Sequence, residues 1–347
     1  MLGRMIRRFG IPVTTALIAG LVLAGCGGSA DPKSPDSSKV PDAQKTSGGT
    51  KLTQISPMTG LKVAGNLPNR PVMVVKIDNT FNSEPQIGLG SADMVVEELV
   101  EGGITRLATI FYSKLPPVVG PVRSARASDI GVIKPANAVL VASGAATRTQ
   151  KRLREAGIGM HFEGSTGMYR DGSRHAPYNL FMQLRKFIPS LHDSARPTQN
   201  YLPWGSESDF TGVSPATNIA VQFSGSSTTH FRYSSGSHKY LNTNSHARSS
   251  DRFLADSVLV LRVREGDAGY HDPAGNPVPE AKFFGSGSAL LFHHGQVVRG
   301  VWSKPQPTSA LTLRTTAGTL KVPAGHVWIE LMPAAGPLNA AGSVRYN

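Results

Sequence analysis

Side chains of opposite charge gather in three short blocks of this sequence, and their spacing suggests anion chemistry. GPVRSAR, Gly120 to Arg126, carries Arg123 and Arg126 three residues apart. VEELVEGGITRL, Val96 to Leu107, carries Glu97, Glu98, Glu101 and Arg106, and YRDGSRHAPYN adds Arg170, Asp171, Arg174 and His175. At the start of a helix, two arginines at i and i+3 would share one face beside free backbone N–H groups. That setting suits a carboxylate, phosphate or pyrophosphate. Arg106, Arg123, Arg126, Arg170 and Arg174 are therefore the expected anion-binding residues. Asp78, Glu97, Glu101 and His175 are expected to position them or to act as acid and base. On a strand, Glu97, Leu99 and Glu101 would share one side and Glu98 the other. The competing reading is a structural ion-pair network, because an unpaired buried charge is costly. Arginines left without a carboxylate partner then mark where a ligand would be held.

Other chemistries find less support. Ser124 lies between two cations with His175 available as a base, yet no G-x-S-x-G elbow is present. The ten histidines form no H-E-x-x-H and have no cysteine partner; Cys26 is the sole cysteine. His230, His238 and His246 fall eight apart in a serine-rich stretch, and His293-His294 sits at a turn. All of these read as solvated, so no metal and no cofactor is expected. Gly88-Leu89-Gly90 lacks the third glycine of a dinucleotide loop. Tyr169, Tyr178 and Trp204 could line a sugar-binding groove, whereas Trp302 and Trp328 alternate with apolar neighbours and read as core.

The elements that must position these residues begin near Ile55. PVMVVKID (residues 71–78) reads as a buried strand. ADMVVEELV and ITRLATIFYS flank Glu101-Gly102-Gly103 as a hairpin. A helix is expected from about Ser124 to before Pro135, then a strand at AVLVASG (residues 138–144) and an exposed basic helix at TRTQKRLREA (residues 147–156). From Pro197 the texture turns rich in Ser, Thr, Asn and Gly, with alternating runs and a hairpin at SALLFHHGQVVRGVWSK (residues 288–304). The expected class is α+β: an N-terminal α/β domain with a mixed sheet (residues 55–190), then a β-rich C-terminal domain (residues 197–335) and a loose tail (residues 336–347).

The chain begins with MLGRMIRRFG, an apolar run of about 15 residues, and Leu23-Ala24-Gly25-Cys26. This fits a lipoprotein signal peptide (residues 1–25), with lipidation at Cys26 as the membrane anchor. Residues 26–54, rich in Ser, Pro, Gly, Asp and Lys, read as a disordered tether whose first 24 or so residues after the cysteine reach roughly 27 Å. With 347 residues, 37 glycines and 25 prolines, the chain favours turn-rich β architecture. Its net charge is +13, or about +10 without leader residues Arg4, Arg7 and Arg8. Outside the cytoplasm such a surface meets anionic envelope polymers, so nucleic acid is not an expected partner.

PVMVVKIDN, QIGLGSADMVVEELVEGGITRLATIF, VGPVRSARASD and YRDGSRHAPYNLF, with a weaker match through GQVVRGVWSK and PAGHVWIELMP, resemble the YerB-like bacterial lipoproteins, a family defined by a domain of unknown function. The resemblance spans roughly residues 55–335 and implies a lipid-anchored, two-part protein on the extracytoplasmic face of the membrane, without an assigned activity or cofactor. Tyr178 stands where the family pattern suggests a histidine before the asparagine. The expected function is binding of an anionic envelope component, a polymer or a protein, through an arginine-lined cleft. The alternatives are a hydrolase or transferase acting on a phosphate- or sugar-containing substrate, and a structural or docking module.

Overall fold

Runs that are apolar at consecutive positions, as in PVMVVKID, belong to strands buried on both faces. The computed structural model, which describes residues 54–191 and 196–347, places them so. The leader, Cys26 and all but the last residue of the tether lie outside the described residues. The α+β class is found, with 41% strand against 13% helix, so sheets rather than helices position the site. Among the described residues no helix is long and apolar enough to cross a membrane.

Strands β1 (Met73–Asp78), β2 (Met94–Leu99) and β3 (Thr105–Phe111) are buried along their whole length. The short helix α1 (Asp129–Ile133), strand β4 (Val139–Val141), helix α2 (Thr147–Glu155) and strand β5 (Met160–His161) complete the N-terminal part. The C-terminal part contributes β6 (Asn218–Gln222), β7 (Thr228–Ser234), β8 (Lys239–Asn242), β9 (Leu254–Ala255), β10 (Ser257–His271) and β11 (Pro277–Lys282). It ends with β12 (Gly285–His293), β13 (Gln296–Lys304), β14 (Thr312–Thr315), β15 (Gly318–Thr319), β16 (Val327–Pro333) and β17 (Ser343–Tyr346).

The large mixed sheet runs β15–β14–β13–β12–β10–β16–β2–β3–β1–β4–β5. Its two halves join because β16 lies parallel to both β10 and β2, which leaves neither partner an open edge. One face is covered by α1 and α2, whose Val132, Ile133 and Leu153 pack with Val74, Val96 and Leu259. The other is covered by an antiparallel sheet, β9–β8–β7–β6–β17. Between the sheets, Trp328 makes edge contacts with Phe231 at 5.4 Å and Phe253 at 5.9 Å, and it is core, as is Trp302.

Three expectations are corrected. The helix after GPVRSAR begins only at Asp129 and lasts five residues, so Arg123 and Arg126 stand on no helical face. The residues after 335 are not a loose tail, because β17 pairs with β6 through residues 343–346. Glu101 does not continue the alternation of β2. The chain leaves the strand at Leu99, and Gly102 and Gly103, at φ 68° and 73°, turn Glu101 to the face of Glu98 and Arg106.

Candidate functional site

GPVRSAR is an extended strap across the carboxyl ends of β1 and β4. Pro121 accepts from the Asp78 amide at 3.1 Å, the Arg123 amide donates to Lys76 at 2.9 Å, and the Ala125 amide donates to Gly144 at 2.9 Å. Glycine is required at position 120, where φ is 153° and a Cβ would lie 2.8 Å from the Phe181 ring. The strap therefore fixes where both arginines point.

On the helix-covered face, charges cancel. Lys76 Nζ bridges Glu98 at 2.5 Å and Asp129 at 2.7 Å. Arg126 donates through Nε and Nη2 to both oxygens of Glu101, and Arg106 reaches the same carboxylate at 3.4 Å and the Ser124 carbonyl at 3.0 Å. Three cations thus face three carboxylates, all buried. Burial alone would raise the Glu101 pKa, but the Arg126 hydrogen bonds and the Arg106 charge outweigh it and hold it at about 2. Burial, with the Arg126 charge, lowers Arg106 to about 10. A cavity of about 350 Å³ opens beside Arg126, Ser124 and His271. The guanidinium nevertheless spends its donors on Glu101 and the Ala125 carbonyl. The arrangement is a structural ion-pair network.

The other predicted residues do not join it. Arg123 pairs with Asp78 at 2.9 Å and stacks on Tyr178. Arg170 pairs with Glu163 at 2.6 Å. Arg174 meets the carbonyls of Ser83, Glu84 and Pro85 and lies over Phe181, stapling two loops. His175 is exposed, and Ser124 contacts Ser143 Oγ at 3.3 Å. The five arginines form no single cleft.

Glu97 lies on the opposite face. Its Oε1 accepts from Asn79 at 3.0 Å, Thr105 at 2.7 Å and Thr229 at 2.9 Å, at the floor of a polar cavity of about 230 Å³ rimmed by the exposed Phe81. Its register partner across β2 and β16 is Glu330, and both are buried. Burial raises the pKa of each, and for Glu330 the adjacent Glu97 carboxylate adds to the rise. Glu97 Oε2 and both Glu330 oxygens find no donor among the described residues, and burial of two facing carboxyls favours retention of a proton by the pair. Sequence reading missed Glu330, since nothing local shows which strand β2 adopts as neighbour.

Two arginines that no prediction singled out also lack a carboxylate partner among the described residues, and they lie together. On the outward face of the small sheet a groove of about 450 Å³ is lined by Asn218, Ala220, His230, Arg232 and Arg345. Cross-strand register places His230 and Arg345 on either side of Ala220, whose short side chain forms the floor, and Arg232 opposite Asn218. Arg232 and Arg345 are exposed, and neither has an ion-pair partner among the described residues. The alternation in NIAVQFS and HFRYSS signals these outward positions, but Arg345 comes from the segment read as a tail.

Family models for the N-terminal and C-terminal domains of "Protein of unknown function (DUF3048)" match residues 58–196 and 219–329. A Bacillus subtilis (strain 168) protein named "Putative lipoprotein YerB" is 27% identical over 303 residues, covering 85% of this chain and 88% of the relative. The crystal structure of the YerB protein from Bacillus subtilis shares the fold, with a TM-score of 0.69 and 22% identity over 84% of this chain and 99% of that one.

Proposed function

The chain belongs to the DUF3048 family, and we propose that it is a lipoprotein, anchored through Cys26 outside the cytoplasm, that binds an anionic envelope polymer. The observation that carries this reading is the groove on the small sheet, where Arg232, Arg345 and His230 stand without carboxylate partners. The buried Arg106 and Arg126 are neutralised by Glu101, whereas this groove sets two unpaired arginines and a histidine side by side on a chain of about +10 without its leader. A polyanion laid along the groove would release counterions and gain roughly 1 kcal/mol per arginine.

The test is binding of polyphosphate to the full chain across a salt series, comparing wild type with Arg232→Gln/Arg345→Gln. Loss of about 2 kcal/mol corresponds to roughly 30-fold weaker binding and a shallower salt dependence. The exposed Arg154→Gln serves as a control expected to change little. Equal affinity of the folded double variant and wild type would remove the proposal.

A second reading, hydrolysis, is favoured by Glu97, a carboxyl of raised pKa at the floor of a cavity. Against it, glycosidase carboxyls flank the scissile bond about 5–9.5 Å apart to admit the reacting atoms, whereas Glu97 and Glu330 are buried register partners on adjacent strands. Cleavage of an envelope glycan by wild type and not by Glu97→Gln would establish it.

A further inference from the structure

Histidines that are spread through the sequence meet at one end of the C-terminal part, where two hairpin turns and a short 3-10 turn converge. His293 ends β12 and His294 is the next residue in the turn to β13. His238 stands in the β7–β8 turn, and Glu207 begins the 3-10 turn at residues 207–209. The donor atoms of Glu207, His293 and His294 all lie within 4.8 Å of one another. Glu207 Oε2 is 2.6 Å from His293 Nε2 and 3.6 Å from His294 Nδ1. The His238 ring centre is 5.4 Å from that of His294.

His293 is held firmly, while His294 stacks on it at 4.1 Å with ring planes 17° apart and would turn about its side-chain bonds to face a shared ion. His293 is almost wholly buried, its Nδ1 lies 3.0 Å from the Asp256 carbonyl, and Phe210 packs edge-on against it. With no ion between them His293 Nε2–H donates to Glu207 Oε2 at 2.6 Å, and a cation entering there would displace that proton while Nδ1 stays held by the Asp256 carbonyl and Ser257 Oγ, each at 3.0 Å. His238 Nδ1 bonds Tyr233 Oη at 3.1 Å, which leaves its Nε2 free of that contact. Backbone conformation adds a separate observation. Among the described residues only Asn137, His238 and His294 combine a side chain with a positive φ, and both histidines occupy this cluster. Glycine or asparagine would fit those turn positions with less strain, and strain of this kind collects at functional sites.

We propose that Glu207, His293 and His294, with His238 as a fourth donor, form a binding site for a zinc-class divalent cation. Two or three imidazoles and one carboxylate suit Zn²⁺ or a similar borderline ion, and disfavour the all-oxygen ions Ca²⁺ and Mg²⁺. In a tetrahedral site such donors stand about 3.3 Å apart. Glu207, whose side chain is 61% exposed, is free to swing outward by under about 1 Å to admit the ion. Lys239 is held by Asp256 rather than by the cluster, so no fixed cation competes for Glu207.

The test uses the full chain carrying Cys26→Ser, which removes the only thiol. Metal-free protein is titrated with Co²⁺, read by its visible ligand-field absorption, and with Zn²⁺ by calorimetry. Wild type at the cluster is expected to take about one equivalent, with Co²⁺ absorption of tetrahedral intensity. His294→Asn keeps a residue that accepts the left-handed turn, and Glu207→Gln leaves an amide oxygen that can still accept from His293 Nε2. Both are expected to bind at least about tenfold more weakly. Absence of the Co²⁺ signal in wild type, or titration of both variants like wild type, would overturn the assignment and leave Glu207 and His293 as a plain hydrogen-bonded pair.

Discussion

Replacing Glu330 with glutamine should flatten the pH dependence of stability, and the size of the effect follows from counting protons. Glu97 and Glu330 face each other on adjacent strands without a cation to pull either pKa down. Above the ordinary glutamate value of about 4.3, the unfolded chain holds both groups ionised while the native pair retains one shared proton. A raised carboxyl pKa contributes its full stability below the unfolded value and loses it as pH rises. One extra native proton costs about 1.4 kcal/mol per pH unit. Between pH 5 and 7 the pair should therefore cost at most about 1.4 kcal/mol per pH unit, for as long as the native state keeps that proton. This window is chosen for two reasons. Glu101 and Asp256, both lowered to about 2, change their contribution only below the unfolded carboxylate range. Lys304, lowered by burial to about 7, adds an opposite slope above that pH. In Glu330→Gln the introduced amide can donate to Glu97 Oε2, so Glu97, already accepting three hydrogen bonds on Oε1, ionises and the extra proton is lost. Urea unfolding followed by tryptophan fluorescence suits the experiment, since Trp328 lies on the same sheet face against Phe231 and Phe253. Relative to wild type the variant should gain stability from pH 5 to 7, by at most about 1.4 kcal/mol per pH unit. Parallel stability profiles would refute the shared proton.

Glu265, pushed up to about 9 by burial and the nearby Glu98 and Glu280, has no hydrogen-bond partner on either oxygen. Glu265→Gln should therefore be more stable than wild type at pH 8, by about 2–5 kcal/mol, with the gain vanishing near pH 4.5, as urea midpoints at the two pH values would report. Arg126→Ala strips the bidentate partner from Glu101, and breaking a buried pair of this kind costs about 3–5 kcal/mol. Calorimetry should show a Tm lowered by about 10 °C, whereas an unchanged Tm would mean that Arg106 alone satisfies Glu101.

Local chemistry made much of this protein legible in its sequence. Consecutive apolar residues declared β1, β2 and β3, because strands buried on both faces need no alternation. Gly102-Gly103 declared their turn, because positive φ there suits glycine, and the resemblance carried by VEELVEGGITRL and GPVRSAR matched the DUF3048 family. The tertiary structure alone decided which charges are free. GPVRSAR reads as a helix start, but backbone bonds to Lys76 and Gly144 hold it extended. Arg106 and Arg126 read as ligand-binding, but a glycine turn brings Glu101 between them. Glu330, Arg345, and the meeting of His293 and His294 with Glu207 depend on pairings between residues 86 to 233 positions apart, as for Glu207 with His293 or Glu97 with Glu330. Short-range propensity encodes where a strand forms. The partner of a buried charge is set by which strands become neighbours, and no local pattern carries that information.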